Sequence, residues 1–215
     1  MQGAGLATIR GPAWELGMDC PQHPTHAEED SDMLTALRGV YAASITPFDS
    51  KGILAIDDLT PHLARLARLG CQGVLMLGTT GEGPSLSTDE RLAVLRAASA
   101  AHCGLHLLAG TGAASLTDCT TLTRSAFDLG FDGVLIVPPY YYKNASTDGL
   151  FAFYRDVISR AVPSDGAVLL YHIPAVNGIA ISSELISRLR DQFPMQVVGI
   201  KDSSGDLLRV QALCQ

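Results

Sequence analysis

Lysine is scarce in this chain: Lys51, Lys143 and Lys201 stand beside twelve arginines in 215 residues. Lys201 closes the apolar, β-branched run Val197-Val198-Gly199-Ile200, which reads as a buried strand. Burial disfavours an ammonium ion, so a lysine at such a strand end is suited to carry the free amine that condenses with a ketone to a Schiff base. The requirement is demanding. A lysine with the ordinary pKa of ~10.4 is less than about a thousandth deprotonated at neutral pH, so its surroundings must lower that value by several units. The plain alternative is a lysine reaching from the strand end to solvent, or one paired with Asp202.

Three other groups have side chains suited to such chemistry. Tyr171 ends the apolar run Val168-Leu169-Leu170 and precedes His172-Ile173-Pro174. A buried tyrosine needs a partner for its hydroxyl, and on a strand adjacent to Lys201 it would project toward the same end of the sheet. His172 is next in the strand and is expected on the opposite face, satisfied in the core or against a helix. Gly78-Thr79-Thr80-Gly81-Glu82-Gly83 lacks the lysine and spacing of a P-loop. Its glycines let backbone N–H groups converge on an anion such as a carboxylate, with hydroxyls beside them; an ordinary strand-to-helix turn is the alternative. Pro138-Pro139-Tyr140-Tyr141-Tyr142 presents three phenols after two strand-stopping prolines. A phenol relays protons or stabilises an oxyanion, and at least one of the three is expected to be an interface aromatic instead.

These groups need a frame, and the chain supplies one by repetition. Short apolar runs are predicted as strands at residues 39–46, 73–77, 105–109, 133–137, 167–171 and 196–200. Segments of helical period follow them at 57–69, 88–101, 116–129, 147–161 and 183–190, with Thr88 a candidate N-cap and a further helix opening at Asp206. Strands alternating with helices at ~30-residue spacing predict a parallel sheet covered by helices. A doubly wound sheet would call for G-x-G-x-x-G after the first strand, and Ser44-Ile45-Thr46-Pro47 is unlike it. Polar residues at successive strand ends, from Thr46 through Thr79, Thr111, Tyr140 and Tyr171 to Lys201, favour the α/β (β/α)8 TIM barrel. About six of its eight βα units are present, so the chain reads as incomplete, with unpaired sheet edges.

Composition narrows the function classes. The net charge is −7, and no Lys/Arg cluster offers a phosphate-reading face, so nucleic acid is not expected as a partner. No apolar run approaches the ~20 residues of a membrane span. Residues 1–32 hold six acids against Arg10 and show no structural period; they are expected to be a disordered acidic extension, with residues 33–215 forming the partial barrel and Met33 a candidate translation start. The five cysteines lack a C-x-x-C pair and read as reduced, structural thiols of a cytoplasmic protein. The histidines fall on separate elements, so no metal site is expected.

Together the motifs resemble the pyruvate-dependent class I aldolases, the dihydrodipicolinate synthase and N-acetylneuraminate lyase family. The likeness runs from about Gly39 to the last residue: G-x-Y-x-A-x-x-T-P-F at 39–48, G-T-T-G-E at 78–82, A-G-T-G at 109–112, P-Y-Y at 139–141, Y-H-I-P at 171–174 and G-I-K-D-S-S-G-D at 199–206. The resemblance implies a lyase in which Lys201 forms a Schiff base with pyruvate or a related 2-keto acid, and a C–C bond is made or broken with an aldehyde. It implies that Tyr171 moves protons and that Thr79 links Tyr171 to Tyr141, which family members receive from a neighbouring subunit. Thr79, Thr80 and the backbone at Gly78 would hold the keto-acid carboxylate. No cofactor beyond the covalent Lys201 adduct is implied, and a complete member would be a homodimer or homotetramer. Two departures bear on substrate. Val176 stands where the lysine-pathway synthases carry an arginine for the second carboxylate, and Lys143-Asn144 stands where they commonly have Asn-Arg-Pro. The other reading is an inactive fragment of such an enzyme.

Overall fold

The computed structural model describes residues 37–101 and 103–214. The expectations for residues 1–32 and for Met33 lie outside the described residues. Six strands form one sheet: β1 (Tyr41–Ala43), β2 (Gly73–Met76), β3 (His106–Gly110), β4 (Gly133–Ile136), β5 (Ala167–His172) and β6 (Val197–Asp202). Every neighbouring pair is parallel and the spatial order follows the chain order. A doubly wound sheet reverses its strand order at a switch point; this one never does, and its six strands make a half-barrel.

Helices α1 (Leu59–Arg68), α2 (Thr88–Ala100), α3 (Leu116–Asp128), α4 (Thr147–Ala161), α5 (Ser183–Gln192) and α6 (Leu207–Leu213) follow the six strands except where β5 precedes α5 through one helical turn at Pro174–Asn177. Four of these helices start at a serine. The hydroxyls of Ser87, Ser115, Ser146 and Ser182 accept from the backbone N–H of Glu90, Asp118, Gly149 and Leu185, and the Asp206 carboxylate accepts from Arg209 in the same way ahead of α6. Each such cap satisfies a donor the helix cannot, at about 1 kcal/mol. Thr88, expected as a cap, is already the first residue of α2; Ser87 caps it because Ser87-x-x-Glu90 closes a reciprocal capping box.

Alternate strand residues face opposite layers. Val74, Met76, Leu107, Ala109, Val134, Ile136, Val168 and Leu170 pack under the helices in the main core. Leu75, Leu108, Leu135 and Tyr171 form a smaller cluster on the other face, the interior of the half-barrel. β2 and β4 are buried at every residue, as expected for a parallel sheet covered on both faces. β6 is not. Only Val197 is buried and the other five residues are partly exposed, which corrects the expectation of a buried strand: β6 is the last strand of the sheet and has a neighbour on one side only.

Among the described residues, Cys71, Cys119 and Cys214 carry free thiols. Cys103 is disulfide-bonded, against the expectation of reduced thiols throughout. No helix among the described residues is long and apolar enough to cross a membrane.

Candidate active site

The chain leaves β2 through a sharp left-handed bend at Leu77, whose φ is 57° although its side chain is buried. A bulky residue holds that conformation only when its surroundings over-determine it. Here two glycines close on the Leu77 carbonyl. A Cβ on Gly110, at the end of β3, would lie 2.5 Å from that oxygen, and one on Gly83 would collide with it outright. The bend throws Gly78-Thr79-Thr80 across the mouth of the half-barrel. Thr46 ties the loop down, its hydroxyl donating to the Gly81 carbonyl at 2.6 Å. Among the described residues no acceptor takes the backbone N–H of Thr79 or Thr80.

Three elements meet at the Tyr171 phenol. The Thr79 hydroxyl lies 3.2 Å from the Tyr171 hydroxyl, and Lys201 Nζ sits 4.4 Å from the centroid of the same ring. Burial pushes the phenol pKa up, yet hydrogen bonds from Thr79 and Ser203 together with the Lys201 charge outweigh it and hold the pKa below the usual tyrosine value. Asp202, proposed as a plain ion-pair partner of Lys201, is engaged elsewhere. Its carboxylate accepts from Arg209 Nε at 2.9 Å and from Ser204. The side chain of Lys201 is thus directed to Tyr171 and not to Asp202.

Register decides which face Lys201 occupies. Val168 pairs with Val197, but Leu169 pairs with Gly199, so Val198 is an extra residue on β6. Beyond this slip Tyr171 lies opposite Lys201 and His172 opposite Asp202. Without it Lys201 would pair with His172, on the helix-facing side of the sheet. A one-residue shift exchanges the faces of a strand, and here it brings the amine into the half-barrel. His172 faces the helix layer as expected. Its buried Nδ1 accepts from the Ile181 backbone N–H at 3.1 Å, and burial, reinforced by Arg209, lowers its pKa.

A cavity of about 170 Å³ adjoins this cluster, with Gly78, Thr79 and Tyr171 in its wall. Lys201 does not line it, although its nitrogen lies over the ring of Tyr171, which does. Thr80 is exposed and outside the cavity. Tyr141 is 73% exposed and packs edge to face on Tyr142, with ring centroids 5.0 Å apart. Of the three tyrosines after β4, Tyr140 is the one that lines the cavity. Of the residues singled out in the sequence, the fold therefore assembles Lys201, Tyr171, Thr79 and Gly78, and leaves Tyr141 and Thr80 at the surface of this chain.

Other cavity residues escaped the sequence reading. Arg91 is 5% exposed and donates through one terminal nitrogen to the Gly110 and Gly112 carbonyls at 2.9 and 3.1 Å. Burial lowers its pKa, while Tyr140, Cys119 and Asp118 raise it. It shares the buried stripe of α2 with Val94, Leu95 and Ala98; a charged residue on an apolar stripe was the available signal. Lys143 donates to the carbonyls of Tyr140 and Asn177 at 2.5 and 2.8 Å, and the scarcity of lysine that marked Lys201 applied to it equally. No cluster of three His, Cys, Asp or Glu side chains suited to a metal occurs among the described residues.

Comparison with known proteins extends this picture. A model of the "Dihydrodipicolinate synthetase family" matches residues 36–215. An uncharacterized DapA-like lyase of Chloroflexus aurantiacus is 45% identical over 170 residues, which cover 79% of this chain and 56% of that protein. Among solved structures, dihydrodipicolinate synthase from Agrobacterium tumefaciens superposes with a TM-score of 0.76 at 38% identity, covering 81% of this chain and 61% of that one. The chloride-inhibited dihydrodipicolinate synthase of Acinetobacter baumannii, solved with pyruvate, gives 0.73 at 32% identity, covering 81% and 58%. The chain thus spans about three fifths of the length of these relatives, and over that span it belongs to the dihydrodipicolinate synthetase family.

Proposed function

We propose that the chain carries the Schiff-base half of a pyruvate-dependent lyase. The observation that carries this reading is the convergence of the Lys201 amine and the Thr79 hydroxyl on the Tyr171 phenol, from β6 and the β2 loop. The free amine of Lys201 attacks the ketone carbon of pyruvate or a related 2-keto acid. Tyr171, its phenol below the usual pKa, passes a proton to the developing alkoxide, and water leaves as the iminium forms. Loss of a methyl proton gives the enamine, whose carbon attacks an aldehyde; the new alkoxide takes a proton and hydrolysis frees Lys201. The reverse sequence cleaves the same bond. The keto-acid carboxylate is taken by the backbone N–H groups of Thr79 and Thr80 beside Gly78, which have no acceptor among the described residues, and by the adjacent hydroxyls.

The lysine adduct is the only covalent carrier in this reading, and no cofactor is used. Tyr141, exposed beside Tyr142, is presented to a second copy of the protein in a homodimer or homotetramer and completes the relay there. A cytoplasmic setting suits the small-molecule keto acid and aldehyde.

The test is borohydride reduction in the presence of pyruvate, followed by peptide mass mapping. One pyruvate-derived adduct on Lys201 is expected. A protein that melts cooperatively and takes no adduct would overturn the proposal and leave the reading of an inactive fragment.

A further inference from the structure

β6 has a neighbour on one side only, and five of its six residues are partly exposed. Register is weakly specified in such a strand, and a slip of one residue turns every side chain to the other face. Two registers compete. In the observed one Val198 is the extra residue, Lys201 lies opposite Tyr171, and Asp202 lies opposite His172 on the helix-facing side. In the other, Val198 joins the ladder and Lys201 stands where Asp202 stands now.

The two registers differ in the charge they set against α6. Arg209 donates through Nε to Asp202 at 2.9 Å and through a terminal nitrogen to the Ile181 carbonyl at 2.7 Å, so its guanidinium is fixed from two sides. The ion pair is largely withdrawn from solvent, with Arg209 20% and Asp202 7% exposed. Arg190 of α5 borders the cavity between β6 and the helices together with Asp202, and Lys201 does not. A carboxylate at this place meets a cation at hydrogen-bond distance, whereas an ammonium there meets a like charge in a partly dry site. Ile200, packed against the main core in the observed register, adds an apolar preference of the same sign.

Resting on the reading that Lys201 forms the Schiff base, we infer that Arg209 is a positioning residue for that reaction. It selects the β6 register in which the amine faces Tyr171, by holding Asp202 under the strand and repelling Lys201 from the same place. It acts from the helix layer on a group that projects from the opposite face of the sheet.

The test reverses the charge. Arg209→Glu offers a partner to Lys201 and repels Asp202, so borohydride trapping of pyruvate at Lys201 is expected to slow by at least about tenfold. Arg209→Lys keeps the charge but not the two-pronged grip, and is expected to stay within about threefold of the parent chain. Asp202→Arg combined with Arg209→Glu exchanges the partners and is expected to be at least about fivefold faster than Arg209→Glu alone, a rescue that a general loss of structure would not show. The Tyr171 phenol reports the register without any reaction, because the Lys201 charge helps to hold its pKa below the usual tyrosine value. Ultraviolet titration of each chain, less that of the same chain carrying Tyr171→Phe, follows this phenol, and its pKa is expected to rise in Arg209→Glu. Trapping at the parent rate, or an unmoved phenol pKa, in an Arg209→Glu chain that melts cooperatively overturns the inference, as does a double variant no faster than Arg209→Glu. If Arg209→Glu does not melt cooperatively, Arg209→Met removes the charge without reversing it, and the same two readouts decide in the same directions. A parent chain that takes no pyruvate adduct overturns the proposed function by itself, and the phenol titration then decides the register alone.

Discussion

Strands β2 and β4 are buried at every residue, whereas β6 is buried only at Val197. On the closed side, position is dictated by contact. The Leu77 bend is pinned between Gly83 and Gly110, and Arg91 clamps the carbonyls of Gly110 and Gly112. On the open side, position is dictated by pairing and loop anchors: the β5–β6 register, the bond from Ser203 N–H to the His172 carbonyl, and Arg209 spanning Asp202 and the Ile181 carbonyl. The phenol and the threonine loop therefore belong to the rigid part of the fold, and the lysine to its margin. Damage to the closed side should cost stability, and damage to the open side should cost chemistry.

The sharpest separation is Lys201→Met. Adduct formation with pyruvate should disappear completely, while the melting transition moves by no more than the ~0.5 kcal/mol typical of a substitution outside the core. Deleting Val198 should come next: with Lys201 still present but moved to the helix-facing side, trapping should fall nearly to background by mass spectrometry. Retained trapping would show that the register slip is not what directs the amine. Tyr171→Phe should slow adduct formation by about 10²-fold, the lower range for a positioned proton donor, and destabilise by about 1 kcal/mol for the lost bond to Thr79. Stopped-flow trapping against a denaturation curve reads both. Gly110→Ala belongs to the closed side. Its Cβ would press on the Leu77 carbonyl, and a loss of about 1–3 kcal/mol is expected in urea unfolding.

The smallest effect is one of pH. His172 is buried as a neutral acceptor and its folded pKa lies below 6.5, so the unfolded chain binds its proton more readily. Its contribution to stability is therefore whole above about pH 6.5 and is lost as the pH falls through that value toward the folded pKa, at no more than about 1.4 kcal/mol per unit. His62, lowered by its own burial and by Arg65, acts in the same direction. Melting temperatures between pH 7.5 and 5 should decline, and less steeply in His172→Gln.

Much of this was written in the chain. Period and punctuation placed all six strands and the helices between them within a few residues, because local apolar pattern and Gly/Pro/Thr/Ser-rich turns depend only on neighbours in sequence. The order of polar strand ends placed Thr79, Tyr171 and Lys201 at one mouth. What failed was of another kind. Thr88 is not the cap of α2; the reciprocal Ser87–Glu90 pair in the same stretch of sequence makes Ser87 the cap. Which of Tyr140 and Tyr141 turns toward the cavity was not legible, because adjacent residues on a loop have no fixed alternation from which their direction can be read; the fold turns Tyr140 there.

The amino-acid sequence by itself determined the repeating strand–helix units, the parallel sheet and the family. Only the tertiary structure decided that β6 is half exposed, that Asp202 is held by Arg209, that Arg91 and Asn177 each leave a buried donor unmet, and that Lys201 faces Tyr171. Burial and pairing arise from residues far apart in the chain, and a single extra residue, Val198, reverses the face that strand periodicity alone would assign.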